Sequence, residues 1–242
     1  MAERISIGVE GTVELSPERI FRYLEYGGSS PSKPVLEKLK VLTPKARKLA
    51  QPRTLSRICK MGEAVNLPKN DLPTPIQGAS FLAFGLVTVG PAIEQETARL
   101  RETGRLLDSM ILDALGSAAV SELGERLAYR VFDWAHERDL NASRAFEPGS
   151  GASHWPLENQ RLIFANLHTD EIGISLTSHL LMQPTKTLSF LMGIGSEVEQ
   201  AFAPFSCQGC KRLNCSYRYE EKHALAKALR TPSKALRRGK EQ

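Results

Sequence analysis

An uncharged apolar segment at residues 80–90, SFLAFGLVTVG, constrains the fold more than any other feature of this sequence. It is shorter than the ~20 residues of a membrane-spanning helix, and it has the length of a strand. An apolar run of this length without alternation is typical of a strand that is buried on both faces. We therefore predict that this segment forms a central strand of a sheet.

Two stretches with helical periodicity follow this strand. Apolar residues recur at helical spacing over residues 93–114 and again over residues 120–134. Gly116 and Ser117 lie between the two stretches. They mark either a break between two helices or a point of close packing within one long helix.

Further strands are predicted at residues 173–178 and 187–194, and Pro156 suits the first turn of another helix. Strands that are interleaved with long helices, without a regular βαβ rhythm, favour a mixed α+β fold. We predict a single domain over residues 1–220, which includes the cysteine-rich segment 207–215, followed by a basic tail at residues 221–242.

The region before the apolar strand has a different composition. Residues 27–71 are rich in Pro, Ser and Lys, and the helical pattern of residues 35–42 is followed by Pro44. We predict short helices broken by prolines, in an extended region that wraps around the core. Alternating apolar residues over positions 4–13 predict a half-exposed strand.

Charge and targeting signals narrow the class of protein. The chain has 32 basic and 27 acidic residues, a net charge of +5, and part of the excess lies in the tail. The tail is either a solvated helix end or a segment that attracts an acidic partner, and it has no aromatic residues for stacking on nucleic acid bases. The N-terminus lacks the pattern of a signal peptide, so we expect a cytoplasmic protein with no membrane partner.

The glycine-rich segment 144–156, RAFEPGSGASHWP, is the strongest candidate for a ligand site. Gly149 and Gly151 allow backbone amides to approach a ligand, and the N-terminus of the predicted helix favours an anionic group. Arg144 is suited to bind a carboxylate, and Trp155 is suited to stack on a flat ring. The alternative is an ordinary glycine-rich connection with the tryptophan in the core.

Other candidate catalytic groups are few. The sequence has no Gly-x-Ser-x-Gly motif, and its five histidines share no metal-ligand spacing. A hydrolase is therefore not indicated. Glu125 lies one turn from the apolar stripe of a predicted helix, and by itself it indicates only a solvated glutamate.

Three of the four cysteines form the motif C-x2-C-x4-C, with Cys207, Cys210 and Cys215 as its members. Three thiolates this close in sequence are able to bind one metal. Zinc and iron–sulfur clusters commonly use four ligands, and Cys59 is the candidate for the fourth, with a histidine, solvent or a ligand as alternatives. The spacing alone does not choose between the two metals, and three reduced thiols are the alternative to both.

Five segments in chain order together carry a resemblance to a known family. They are RYLEY at 22–26, LDALGSAAV at 112–120, PGSG with WPLENQ at 148–160, IGISLT with MQP and KTLS at 172–189, and the CxxC and CSYR elements at 207–218. These segments resemble motifs of the activation (reactivation) domain of vitamin B12-dependent methionine synthase, in its short stand-alone form. The resemblance covers roughly residues 18–220.

The resemblance implies an α+β domain built around a twisted antiparallel sheet with long helices. It also implies S-adenosylmethionine as the ligand, because in that family this methyl donor remethylates cobalamin after the cofactor has slipped into its inactive Co(II) state. The residues that the resemblance assigns to this ligand are Glu125, Arg144, Pro148, Gly149, Ser150, Gly151 and Trp155.

Carried over by position, Glu125 is expected to meet the polar end of the ligand, and Arg144 is expected to bind its carboxylate. Two departures from the family pattern fall on the ligand loop. The spacing from Arg144 to Pro148 is one residue longer than the family's R-x-x-P, and Ser150 stands where the family has a tyrosine.

The resemblance implies a stand-alone reactivation subunit, a component of a methyltransferase in methionine biosynthesis. The corrinoid is expected on a partner, either a corrinoid-binding protein or a B12-dependent methyltransferase. The electron is expected from a low-potential donor such as a flavodoxin or ferredoxin, relayed by an iron–sulfur cluster at the cysteine motif. The first alternative is a subunit that does not bind S-adenosylmethionine, either a non-enzymatic corrinoid-protein partner with structural zinc at the cysteine motif or an electron-transfer subunit. The second is a zinc-ribbon nucleic-acid protein, which the absence of a second CxxC pair disfavours.

Overall fold

The computed structural model of the chain describes residues 11–26, 30–67, 72–205 and 215. Three sequence predictions fall outside these residues. They are most of the strand expected over residues 4–13, two of the motif cysteines (Cys207 and Cys210), and the basic tail at residues 221–242.

A four-stranded antiparallel sheet forms the centre of the fold. Its strands are β1 (Arg53–Lys60), β2 (Phe81–Thr88), β3 (Asn141–Ala142) and β6 (Thr187–Gly195), in the spatial order β1-β2-β6-β3. A small second sheet pairs β4 (Ser175–Leu176) with β5 (Met182–Gln183). The prediction of a central strand at residues 80–90 is confirmed, because β2 pairs on both sides and is buried on both faces.

Five α-helices surround this sheet in the described residues. They are α1 (Pro17–Tyr23), α2 (Lys33–Leu49), α3 (Ala92–Glu102), α4 (Leu106–His136) and α5 (Gln160–Asn166), with single 3-10 turns at Met61–Glu63, Thr74–Ile76, Leu157–Asn159 and Thr169–Ile172. The long helix α4 packs against the other three N-terminal helices and against β2 and β6. Within the described ranges, none of the helices has the length and apolar character needed to cross a membrane.

The sequence left two interpretations of Gly116 and Ser117, a break between two helices or a point of close packing within one helix, and the structure shows close packing. Gly116 lies inside one continuous helix, and a Cβ atom at this position would lie 2.8 Å from Ile93 Cγ2 of α3. A Cβ atom on Gly124 would lie 3.0 Å from Leu188 Cδ2 of β6. Because glycine has no side chain, these two positions allow α4 to approach both α3 and the sheet.

The prediction of proline-broken short helices before residue 71 is wrong. Helix α2 continues through Pro44. Proline has no N–H, so the carbonyl of Lys40 loses the hydrogen bond that it would accept within the helix. Both Lys40 and Pro44 are exposed. Water is able to satisfy that carbonyl, which reduces the cost of the interruption. The same region also supplies strand β1, which pairs with β2 along its whole length, from Arg53 opposite Thr88 to Lys60 opposite Phe81.

Both faces of the sheet are covered by hydrophobic cores. On one face, Phe190, Met192 and Ile194 of β6 pack with the apolar sides of α1 to α4. On the other face, Phe84 of β2 and Leu191 of β6 pack with α5 and the loop that precedes it. This second core fixes the position of the glycine-rich loop relative to β6.

Candidate functional site

The glycine-rich loop is attached directly to strand β6. Phe146, which is 2% exposed, forms two backbone hydrogen bonds with Leu191, with N···O distances of 2.8 and 3.0 Å. The aromatic side chain of Phe146 belongs to the second core. The residues that follow, 147–156, therefore leave the sheet from a fixed point.

Internal hydrogen bonds hold the loop in a closed turn. The Gly149 N–H donates to the carbonyl of Trp155 at 2.8 Å, and the Ser153 hydroxyl donates to the carbonyl of Glu147. Gly149 has a φ of +77°, and a Cβ atom there would lie 2.9 Å from Leu157 Cδ1. Glycine is thus required at this position by backbone conformation and by space.

A cleft of about 300 Å³, which we name the loop cleft, opens beside this turn. This volume is at the lower end of the ~300–1,000 Å³ typical of small-molecule sites. Its walls come from α1, α4, the loop, the start of α5, β5 and the start of β6. The lining residues are Tyr23, Val120, Ser121, Glu147, Pro148, Gly149, Ser150, Gln160, Met182, Thr187, Leu188 and Ser189.

Hydrogen bonds between neighbouring elements fix the polar wall of the loop cleft. The Ser189 hydroxyl of β6 donates to Oε1 of Gln160 in α5 at 2.8 Å, in a buried contact. The Thr187 hydroxyl donates to the Thr88 hydroxyl of β2 at 3.1 Å. These polar groups are held in place before any ligand arrives.

Glu147 carries the only formal charge among the described residues that line the loop cleft. Burial raises the pKa of its carboxyl to about 7, and the nearby Arg144 guanidinium acts in the opposite direction. Sequence reasoning did not select this residue. The only sequence signal was its position directly before Pro148 and Gly149, and a single carboxylate there is not diagnostic of a site.

The sequence-predicted residues are divided between two depressions. Pro148, Gly149 and Ser150 line the loop cleft, whereas Arg144 and Trp155 line a second depression of about 330 Å³. We name the second one the proline cleft, and its walls are Leu72, Pro73, Thr74, Pro75, Arg144, Phe146, Ser153, His154, Trp155 and Pro156. Gly151 lines neither cleft, and a Cβ atom added to it would have no atom beyond its chain neighbours within 4 Å.

Arg144 and Trp155 are both engaged with the protein. The Arg144 guanidinium lies over the Phe146 ring, 4.4 Å from its centroid, and donates to the carbonyl of Ala152 at 3.0 Å. Trp155 is 3% exposed and packs in the second core. Their predicted contacts with a carboxylate and a flat ring stay predictions.

Glu125 is buried in an ion pair with Arg19 of α1, and the two side chains are 8% and 9% exposed. The Arg19 guanidinium also donates to the Ser121 hydroxyl at 2.9 Å, and Ser121 lines the loop cleft. Glu125 itself lines neither cleft. Its predicted contact with a ligand stays a prediction, and its role in this structure is to hold α1 against α4.

The cysteines are only partly within the described residues. Cys59 of β1 is 4% exposed and packs in the second core, and this burial raises the pKa of its thiol. Cys215 is partly exposed, and both of these cysteines are free thiols. In the ranges that the structure describes, no group of three or more His, Cys, Asp or Glu residues is placed to hold a metal.

Comparisons with known proteins support the fold. No protein-family model and no curated protein matches this sequence. The arrangement of sheet and helices is a mixed α+β fold, and it is similar to a crystal structure described as the MetH reactivation domain bound to AdoHcy. The two share 13% sequence identity with a TM-score of 0.54, over 85% of this chain and 83% of that chain. The predicted fold class is thereby confirmed.

Proposed function

We propose that this chain binds S-adenosylmethionine in the loop cleft and acts as a stand-alone reactivation subunit for a corrinoid-dependent methyltransferase. One observation carries the proposal. The loop that the sequence motifs mark as the ligand loop borders a preformed cleft whose only described charge is a carboxylate, and S-adenosylmethionine is a sulfonium cation. The similarity to a reactivation domain that was crystallised with AdoHcy supports the same ligand class.

The role of this chain in such a reaction is to position the donor. The turn at Gly149 allows the ligand to approach the loop backbone closely, and the fixed hydroxyls of Thr187 and Ser189 orient its polar groups. The corrinoid of a partner protein, after one-electron reduction, supplies the nucleophile that takes the methyl group, and the sulfur leaves as a neutral thioether. Of the residues that the resemblance assigns to the ligand, Pro148, Gly149 and Ser150 are the proposed contacts in this cleft. Arg144 and Trp155 would contact only a ligand in the proline cleft, and Glu125 lines neither cleft.

Calorimetric titration with S-adenosylmethionine tests the proposal, with a variant that fills the cleft. Val120 lies in the wall of the loop cleft on α4, so Val120→Phe is expected to weaken binding by about tenfold or more. Met110→Phe is the matched control, because Met110 lies on the same helix but is 64% exposed and outside the cleft. Wild type and the control variant are expected to bind with equal affinity.

The same titration distinguishes the two depressions. Loss of binding in Arg144→Ala but not in Val120→Phe would indicate that the ligand binds in the proline cleft. An absence of binding to the wild type, with and without a corrinoid protein, would overturn the proposal. Melting temperatures of the three variants establish that each is folded.

A second candidate function is a corrinoid-protein partner or electron-transfer subunit that binds no S-adenosylmethionine. The observation that favours it is the engagement of two proposed ligand groups by the protein itself. Glu125 pairs with Arg19, and Arg144 is bound to Phe146 and to the Ala152 carbonyl. Binding of this chain to a corrinoid protein without any effect of S-adenosylmethionine would support this candidate over the first.

A further inference from the structure

The charge that lines the loop cleft comes from one of its walls, the glycine-rich loop. Each element in its wall contributes uncharged groups, such as Tyr23 from α1, Ser121 from α4 and Gln160 from α5, and the loop alone contributes a charge, at Glu147. In the described part of the chain, no ion pair or side-chain hydrogen bond involves the Glu147 carboxylate.

Arg144 is the opposite charge that acts to lower the pKa of Glu147, but the described residues show no ion pair between the two side chains. The Arg144 guanidinium is held on the other side of the loop, over Phe146 and against the Ala152 carbonyl, where it lines the proline cleft. The carboxylate therefore contributes its charge to a partly dehydrated cleft, where interactions between charges are stronger than in bulk water.

We infer that Glu147 determines the specificity of the loop cleft, because its carboxylate attracts the sulfonium form of the ligand and not the neutral thioether. This inference rests on the proposed function. S-adenosylmethionine differs from S-adenosylhomocysteine by one methyl group and one positive charge at sulfur. When the methyl group leaves as a cation equivalent, the sulfur keeps the electron pair of the broken bond and loses its charge. The product consequently loses its attraction to Glu147 and is released.

This role differs from that of the loop glycines, which shape the cleft for either ligand. A group that only shapes the cleft changes the affinity for both ligands by the same factor. A group that recognises the sulfonium charge changes the ratio of the two affinities. The ratio of dissociation constants is thus the measurement that separates the two roles.

Calorimetric titration at pH 8 with each ligand separately provides that ratio, for wild type, Glu147→Gln, Glu147→Asp and Glu158→Gln. We expect wild type to bind S-adenosylmethionine about tenfold more tightly than S-adenosylhomocysteine, and we expect Glu147→Gln to reduce this ratio to about one. Glu147→Asp, which keeps the charge, is expected to retain a preference. Glu158→Gln is the matched control, because Glu158 is exposed and does not line the cleft.

A ratio that is unchanged in Glu147→Gln, or a wild-type ratio near one, would overturn the inference while leaving the proposed function intact. A wild type that binds neither ligand would overturn the proposed function and the inference together. Glutamine is close in size to glutamate and removes a dehydrated charge, so the variant is expected to fold, and its melting temperature verifies this.

Discussion

The buried ion pair between Arg19 and Glu125 gives the clearest prediction at the scale of single residues. Glu125→Gln leaves the Arg19 guanidinium without an opposite charge in a site where both side chains are less than one-tenth exposed. We expect the free energy of unfolding to fall by about 3 kcal/mol, as for other buried pairs from which one partner is removed. Urea denaturation at neutral pH measures this change.

The double variant Arg19→Met with Glu125→Met serves as the control. Replacing both charges by apolar side chains is expected to recover most of the stability, because no dehydrated charge is left unpaired. If Glu125→Gln instead kept full stability but lost affinity for S-adenosylmethionine, Glu125 would be a ligand contact, as its sequence position predicts, and not a structural group.

Glu147 makes the stability of this protein depend on pH in a defined window. Its carboxyl has a pKa of about 7 in the folded protein, above the ordinary value of 4.5. Between these values the folded state binds the proton more tightly than the unfolded chain, so the free energy of unfolding decreases as pH rises from about 4.5 to 7. The total decrease from this group is at most about 3 kcal/mol.

Glu147→Gln is expected to remove this decrease and to be more stable than wild type above pH 7. The quantity to measure is the difference in unfolding free energy between the variant and wild type at pH 5, 6, 7 and 8, because other titrating groups cancel in it. A difference that does not change with pH would show that the Glu147 carboxyl titrates normally and is well hydrated.

Sequence reasoning selected the glycine-rich loop as a candidate site but did not select Glu147, for a physical reason. The glycines at positions 149 and 151 mark a turn in the sequence itself, and Gly149 does have a positive φ. The surroundings of Glu147, in contrast, are uncharged groups from α1, α4 and β6, which only the fold brings together. In the same way, the pairing of Glu125 with Arg19 joins residues that are 106 positions apart. No local pattern predicts such a contact.

At the scale of the loop, the two glycines provide a matched pair of variants. Gly149→Ala places a Cβ atom 2.9 Å from Leu157 Cδ1 on a backbone with a φ of +77°, whereas the space around Gly151 is open. We expect Gly149→Ala to lower the free energy of unfolding by about 1–3 kcal/mol and Gly151→Ala to change it by less than about 0.5 kcal/mol. Thermal denaturation of both variants provides the comparison. Equal effects would mean that the turn at Gly149 adjusts freely.

Secondary structure could be predicted where burial dictated the pattern. Strand β2 is buried on both faces, and apolar residues recur at helical spacing over residues 93–114 and 120–134, so the strand and the helical character were visible in the sequence. The boundary between α3 and α4 at residues 103–105 was missed, because the helical spacing continues across it. Strand β1 was missed because it contains Arg53, Arg57 and Lys60, and polar residues interrupt its alternation. Helix α2 was cut short in the prediction because Pro44 normally ends a helix, whereas here its exposed position allows the helix to continue.

At the scale of the whole molecule, the proposed function requires a route by which an electron reaches the corrinoid of a partner protein. The proposed relay is a metal centre at Cys207, Cys210 and Cys215, of which only Cys215 lies within the described residues. Cys59, the candidate fourth ligand, is 4% exposed and surrounded by the second core, where an apolar environment disfavours the thiolate that binds metals. The burial of Cys59 therefore disfavours it as the fourth ligand.

We predict that protein purified without oxygen contains an iron–sulfur cluster, and that Cys59→Ala retains it while Cys210→Ser loses it. Elemental analysis for iron, zinc and acid-labile sulfide, with the visible absorption spectrum, measures cluster content in wild type and both variants. Each substitution removes one thiol, but the two thiols differ in location, since Cys59 lies in the core and Cys210 in the motif. Loss of iron from Cys59→Ala, with an unchanged melting temperature, would make Cys59 the fourth ligand. Zinc, or no metal, in the wild type would remove the relay and favour the electron-independent role of a corrinoid-protein partner.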